Sequence, residues 1–188
     1  MGEKEQMSPV CPSWLSFILY NPIRKAFTDR EKILDECGVT KDSVVLEVGA
    51  GNGFLTEAIA ERAKEVYAVE LQDGMIRKLQ KRILLFADKV SIIRGDIASV
   101  ILKEKFFDVC LLYYSFHEVS NKMDAADTIS RAVKTGGILS IYEPTIEVEK
   151  LKMEKTFKLF EQRSFIKEME WARFFTRFVR LRKYAPHT

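Results

Sequence analysis

The sequence predicts an α/β fold built on a mainly parallel sheet, and three observations predict it. Short runs rich in valine and other strand-forming residues, such as Val44-Val45-Leu46-Glu47-Val48 and Glu65-Val66-Tyr67-Ala68-Val69-Glu70, alternate with longer segments of helical periodicity. The first run passes straight into Gly49-Ala50-Gly51-Asn52-Gly53, a turn that carries a strand into a helix. A chain of 188 residues, 47% of them hydrophobic, supplies the core of one domain. Alternating strands and helices favour right-handed crossovers, which lay consecutive strands parallel.

Each element has its own local reason. A polar tail leads to Trp14–Tyr20, an apolar helical segment that Asn21-Pro22 interrupts, because the residue before a proline is steered away from helical geometry. Asp29–Cys37 reads as a helix capped by Thr28 or Asp29 and closed by Gly38. The central order is strand 44–48, helix 53–63, strand 65–70, helix 73–86, strand 90–95, a short helix near 97–102 and strand 107–113. Asp73 is the expected N-cap of the helix that reaches Phe86. A helix from Asn121 or Lys122 to Val133 follows, and Thr135-Gly136-Gly137 turns the chain into strand Ile138–Tyr142. Val148–Phe160 repeats leucine, methionine and phenylalanine at helical spacing, after which Phe165–Trp171 and Phe175–Tyr184 pair as a terminal β-hairpin over 165–184. No repeat, low-complexity stretch or linker divides residues 1–188, so one domain is expected. Residues 1–28 are its helical leader, either packed on the domain or acting as a lid.

Composition excludes several classes. Thirty Lys and Arg against 27 Asp and Glu leave a formal charge of only +3, which argues against obligatory nucleic-acid binding. Cys11, Cys37 and Cys110 are spaced like neither a disulfide framework nor a zinc site, and His117 and His187 form no coherent ligand set, so no metal is implied. No signal-like apolar core follows a basic start, and no stretch approaches the roughly twenty apolar residues that span a bilayer. A cytoplasmic protein with reduced thiols is the expectation.

The glycine turn is where a nucleotide-like cofactor can dock, since glycine tolerates positive φ and close ligand approach. The spacing fails the dinucleotide fingerprint, which needs a third glycine where Phe54 stands, and no lysine follows as a phosphate loop requires. Glu47 would repel a pyrophosphate but attract an ammonium group, directly or through water; alternatively it fixes the loop by accepting backbone N–H bonds. Asn52 can bond a cofactor carboxylate or cap the helix. Glu70 ends the second strand 21 residues beyond Gly49, where a carboxylate can grip a ribose diol, with Leu71 beside it.

Glu47-Val48-Gly49-Ala50-Gly51-Asn52-Gly53 closely resembles the E/D-x-G-x-G-x-G motif of class I S-adenosylmethionine-dependent methyltransferases. The resemblance covers most of 29–145 and, more loosely, the whole chain. It implies a Rossmann-like, seven-stranded sheet whose final strand runs antiparallel to the rest. It also implies S-adenosylmethionine as cofactor and S-adenosylhomocysteine as product. The loop 47–53 would wrap the methionyl part, Glu70 the ribose hydroxyls, and Asp96 the adenine amine, with Leu71 and Ile97 against the ring. Asp96 can equally be a helix N-cap.

The stretch Tyr113-Tyr114-Ser115-Phe116-His117-Glu118 follows the fourth strand, where the transferable methyl would lie. Adenine- and cytosine-amine methyltransferases commonly carry an acid or asparagine, two prolines and an aromatic there, and no such tetrapeptide occurs. The glycine motif and second strand also look like those of ribosomal RNA adenine dimethyltransferases, but this loop does not. The Phe116-His117 pair is closer to the ubiquinone/menaquinone-type small-molecule methyltransferases. His117 is therefore the candidate base, with a loop-fixing hydrogen bond as its competing role. Tyr113 is placed with the cofactor. Tyr114, Phe116, His117 and Glu118, with Trp14, Phe17, Ile18 and Tyr20 of the leader, are the candidate substrate wall.

The expected activity is methyl transfer to a small, partly apolar acceptor. RNA methylation is the alternative raised by Arg173, Arg177, Arg180, Arg182 and Lys183, and a protein substrate stays open. A cofactor-binding partner subunit without turnover is the non-enzymatic alternative.

Overall fold

The computed structural model describes residues 28–173 and 175–185. Trp14, Phe17, Ile18, Tyr20, Cys11 and the expected leader helix lie outside the described residues. Seven strands form one sheet in the order β3-β2-β1-β4-β5-β7-β6. The strands are β1 (Val44–Val48), β2 (Glu65–Glu70), β3 (Val90–Arg94), β4 (Phe107–Tyr113), β5 (Val133–Pro144), β6 (Phe165–Arg173) and β7 (Thr176–Lys183). β1 to β5 pair in parallel, while β7 inserts antiparallel between β5 and β6. The mainly parallel α/β sheet and the antiparallel final strand follow the expectation.

Among the described residues, five α-helices cover the sheet: α1 (Arg30–Glu36), α2 (Phe54–Arg62), α3 (Asp73–Arg82), α4 (Lys122–Ala132) and α5 (Lys150–Glu161). Alternation along β1 decides which face each helix meets. Val45 points into a cluster with Leu34 of α1, Ile59 of α2 and Leu79 of α3, whereas Leu46 and Val48 point into a second cluster with Ile129 of α4 and Phe160 of α5. Burial on both sides accounts for the nearly unbroken apolar run in β1.

Asp29 caps α1 by accepting the Lys32 N–H at 3.0 Å, and Asn121 caps α4 through Asp124 N at 3.2 Å. Most ends shift by a residue or two, and four segments differ in kind from expectation. Gln72, not Asp73, is the N-cap of α3; Asp73 starts the helix and pairs with Arg94 at 2.9 Å. The α-helix stops at Arg82, and a 3₁₀ turn, Leu84–Phe86, completes the segment. Residues 97–102 make a single turn in which the Asp96 carbonyl accepts from Ser99 and Val100, both at 2.9 Å, and no helix forms. Thr135–Gly137 lies inside a longer β5, whose pairing jumps from Phe107↔Val133 to Val109↔Ile138 through an irregularity with Gly136 at φ +81°.

Among the described residues, no helix is long and apolar enough to cross a membrane, and no cluster of His, Cys, Asp or Glu could hold a metal ion. Cys37 and Cys110 are buried, and burial pushes both thiols up, Cys37 to about 12, which leaves them unreactive.

Candidate functional site

Because β1, β2, β4 and β5 are parallel and neighbours, their carboxyl ends gather Gly49, Glu70, Tyr113 and Glu143 along one edge of the sheet. The glycine turn is shaped by hydrogen bonds from Gly49 N and Ala50 N to the Val69 carbonyl, at 2.9 and 3.1 Å. Gly49, with φ at +74°, also lies so near the loop after β4 that an added Cβ would come within 2.4 Å of the Ser115 Cβ. Ser115 holds that approach by donating to the Val48 carbonyl at 2.7 Å. Gly53, in the left-handed region, is the N-cap of α2 with no side chain to cap it.

Glu70 ties the turn to β2. One carboxylate oxygen accepts Gly51 N at 2.8 Å, and the other accepts Leu71 N and Gln72 N at 2.9 and 2.8 Å. Glu47 is 3% exposed and accepts the Thr56 hydroxyl at 2.6 Å, a side-chain anchor that neither expectation for it included. Burial, opposed by the Thr56 bond and reinforced by the charge of Glu70, pushes the Glu47 carboxyl up to about 8. In the turn that follows β1, Asn52 Oδ1 is buried without a hydrogen-bond partner. An acceptor left in that condition is costly unless a ligand donor satisfies it.

Asp96 follows the carboxyl end of β3 on this same edge, but not all the candidate residues are displayed there. Asp96 Oδ1 accepts Ala98 N at 2.9 Å, so the carboxylate shapes the turn after β3. Ile97 is buried in the core rather than displayed as a flat ring surface, and Ala50 is also buried, while Leu71 is exposed. Phe116 is fully buried against Phe160, their ring centres 5.5 Å apart, which places it on the core side of the loop and away from a substrate wall. Tyr113 and Tyr114 stack with centres 4.5 Å apart at 18°, and the Tyr114 hydroxyl hydrogen-bonds Thr176.

His117 occupies a short 3₁₀ turn, Phe116–Glu118, and is gripped on both ring nitrogens. Nδ1 lies 2.5 Å from Glu143 Oε2 and Nε2 lies 2.9 Å from Glu147 Oε2, while Glu143 Oε1 accepts the His117 backbone N–H at 3.0 Å. Carboxylate oxygens beside both ring nitrogens favour the cationic, doubly protonated ring over the neutral one. Burial pulls its pKa down, but the hydrogen bond and charge of Glu143, then Glu147 and Glu118, raise it overall. Glu118, whose oxygen is 3.9 Å from Nε2, is itself pushed up, by burial first. A basic role for His117 therefore requires Glu147 to leave Nε2 first.

Glu143 and Glu147 were not among the candidates from sequence. Their signal was available in part: Glu143 directly follows the expected strand Ile138–Tyr142, and so had to end at the same edge as His117. Glu147 lies in the turn that follows, whose path no sequence pattern specifies.

Against known proteins, a family model described as a methyltransferase domain matches residues 46–141, just over half of the chain. An uncharacterized methyltransferase from Geobacillus is 34% identical over 115 residues, covering 60% of this chain and 53% of the relative. Ribosomal RNA small subunit methyltransferase A from Lachnoclostridium phytofermentans is 43% identical over 79 residues, covering 40% of this chain and 27% of the relative. The matched part of the chain thus spans about half or less of the length of these curated relatives. The crystal structure of a SAM-dependent methyltransferase from Aquifex aeolicus superposes with a TM-score of 0.80 at 20% identity, covering 92% of this chain and 98% of that one. At that identity the superposition establishes the fold, a class I methyltransferase sheet. Taken with a family match that begins inside β1 and ends inside β5, spanning the glycine turn, Glu70 and His117, it shows that the chain belongs to the methyltransferase-domain family.

Proposed function

We propose that this chain binds S-adenosylmethionine along the glycine turn and transfers its methyl group to a small, partly apolar acceptor beside His117. The observation that carries the cofactor half is the Glu70 clamp on Gly51, Leu71 and Gln72, which brings a buried carboxylate and the turn to one point. The residues present fit the cofactor: Gly49 admits close approach, Asn52 Oδ1 offers an unmet acceptor for a donor such as an ammonium, and Glu47 can balance its charge. Glu70 would accept from ribose hydroxyls and Asp96, through its other carboxylate oxygen, from the adenine amine, with Leu71 and Tyr113 nearest the base. When bound, the cofactor supplies an electrophilic methyl. The protein's part is to orient the acceptor in line with it and to arrange charge, which is sufficient for displacement from a sulfonium.

The small-acceptor half rests on the loop after β4, which lacks the Pro-Pro-aromatic element, and on the state of the hairpin cations. Arg180 and Arg182 bind Glu168, Arg177 donates to the Val148 carbonyl, and Lys183 donates to the carbonyls of Ser130 and Val133. Cations committed to internal partners make a poor phosphate track. RNA methylation is the second reading, favoured by the 43% identity to a ribosomal RNA methyltransferase over 79 residues.

Calorimetry with S-adenosylmethionine, S-adenosylhomocysteine, NAD and ATP tests the cofactor; comparable or tighter NAD binding refutes it. Radiolabelled methyl transfer to separate pools of metabolites, RNA and protein tests the acceptor. Label confined to RNA would overturn the small-acceptor reading, and cofactor binding without label in any pool would favour a partner subunit.

A further inference from the structure

The His117 site contains more than a candidate base. Nδ1 hydrogen-bonds Glu143, which is buried, and Nε2 has an ion-pair contact at 2.9 Å with Glu147, whose side chain is 53% exposed. The two carboxylates differ in how firmly they are held. Glu143 sits at the end of β5, paired in register with Arg177 of β7, and accepts both from the ring and from the His117 backbone N–H, so the imidazole is fixed in place by two bonds to one side chain. Glu147 comes from the turn between β5 and α5 and reaches the ring with one oxygen. Lys122 secures the other side of the loop by donating to the carbonyls of His117 and Val119, at 3.1 and 2.7 Å. The outcome is an imidazole fixed through Nδ1, with the half-exposed carboxylate of a turn residue in contact with Nε2.

Resting on the reading of the chain as a methyltransferase, we propose that Glu147 marks the place of the acceptor's anionic oxygen. His117 Nε2–H would bind a carboxylate or phenolate oxygen of a small apolar molecule, and Glu143 is the positioning residue that holds the ring for it. The incoming anionic oxygen would take over the contact of the Glu147 carboxylate with the ring, while Glu147, half exposed on its turn, swings out into solvent where its charge is screened. A neutral group at Nε2 would gain less from a protonated ring, and a cationic one would be repelled by it. The apolar part of the acceptor has matching surface on the same edge. Ile146, next to Glu147, and Phe175, whose carbonyl accepts Thr145 N at 3.0 Å, are large exposed hydrophobic residues. Where the anionic oxygen is itself the nucleophile, its electron pair forms the new O–CH3 bond, the S–CH3 pair returns to sulfur, and S-adenosylhomocysteine leaves with no proton transferred. His117 then orients the oxygen without acting as a base.

The test uses the full chain loaded with S-adenosylhomocysteine, whose binding is first verified by calorimetry; failure at that step counts against the methyltransferase reading alone. Benzoate, 4-nitrophenolate and their neutral counterparts benzamide and nitrobenzene are then titrated, with the His117 ring resonances followed by NMR in an H187N background. Binding of at least one anionic probe, tenfold or more tighter than its neutral counterpart and with a shift at His117, is expected. E147Q should tighten it about fivefold by removing the competitor, and H117N should abolish the preference for the anion. E143Q should weaken it while leaving S-adenosylhomocysteine affinity within twofold. The proposal is overturned if neutral and anionic probes bind alike, if neither anionic probe binds, or if E147Q leaves affinity for the anion unchanged or lower. Preference for benzoate assigns a carboxylate acceptor, and preference for 4-nitrophenolate assigns a phenolic one.

Discussion

Replacing Glu47 with glutamine isolates the consequence of burying a carboxyl group under a glycine turn. In the folded chain its pKa is pushed from the ordinary 4.5 up to about 8, chiefly by burial. The native state therefore holds this proton more tightly than the unfolded chain, and linkage makes stability fall as pH rises between those two values. At about 1.4 kcal/mol per pH unit, the accumulated cost at pH 7 is roughly 3 kcal/mol, with a ceiling near 5 kcal/mol above pH 8. Glu47→Gln keeps an oxygen that can accept from Thr56 and removes the titration. Urea unfolding of both proteins from pH 4.5 to 8 should give a stability difference that moves steadily in the variant's favour, whatever constant offset the amide introduces. Parallel stability curves would refute the argument. The cofactor adds a second reading of the same proton. If Glu47 faces the ammonium of S-adenosylhomocysteine, binding at pH 7 draws it into its ionised form and releases a fraction of a proton. Calorimetry in buffers of different ionisation heat should detect that release in the wild type and not in the variant.

Three other outcomes follow from the geometry. Glu70→Ala should weaken cofactor affinity by roughly 1–3 kcal/mol and, independently of ligand, speed hydrogen exchange at the amides of Gly51, Leu71 and Gln72; unchanged affinity in a folded variant rejects the ribose role. Gly49→Ala forces a side chain into positive φ and against Ser115, so urea unfolding should show a loss of about 2–5 kcal/mol, and an unmoved midpoint would contradict the close approach of the two loops. His117 has a raised folded pKa, so its ion pairs stabilise the fold fully below pH 6.5 and lose that effect as pH climbs through the higher folded value. The stability of H117N relative to wild type should therefore recover as pH rises above 6.5, and a pH-independent difference would show that the ring is not charged.

The parts of this molecule that were legible in sequence are those set by local patterns. β1 and β2 fall on their expected residues because valine-rich runs buried on both faces have one reading, and the Asp29 and Asn121 caps fall where short polar side chains precede helical periodicity. The misread segments needed information from elsewhere in the chain. Residues 97–102 carry helical spacing, yet Asp96 and one turn of backbone suffice to route the chain under the sheet toward β4. Thr135-Gly136-Gly137 has the composition of a turn, but β4 continues to pair on either side of it.

The candidate site divides along the same line. Its cofactor half was visible because Glu47, the glycines and Glu70 lie on two adjacent strand ends within a short stretch of chain. Its acceptor half depends on Glu143 and Glu147, which are brought to His117 by the parallel pairing of β4 with β5 and by the turn that follows. That pairing changes the chemistry of the histidine. From sequence alone, an imidazole in a strand-end loop titrates near neutrality and is a candidate proton acceptor. Between two carboxylates its charged form is favoured, and the ring is disposed to donate rather than to accept. Replacing either acid therefore alters His117 differently, since loss of Glu143 frees the ring to turn, whereas loss of Glu147 leaves it positioned and opens Nε2.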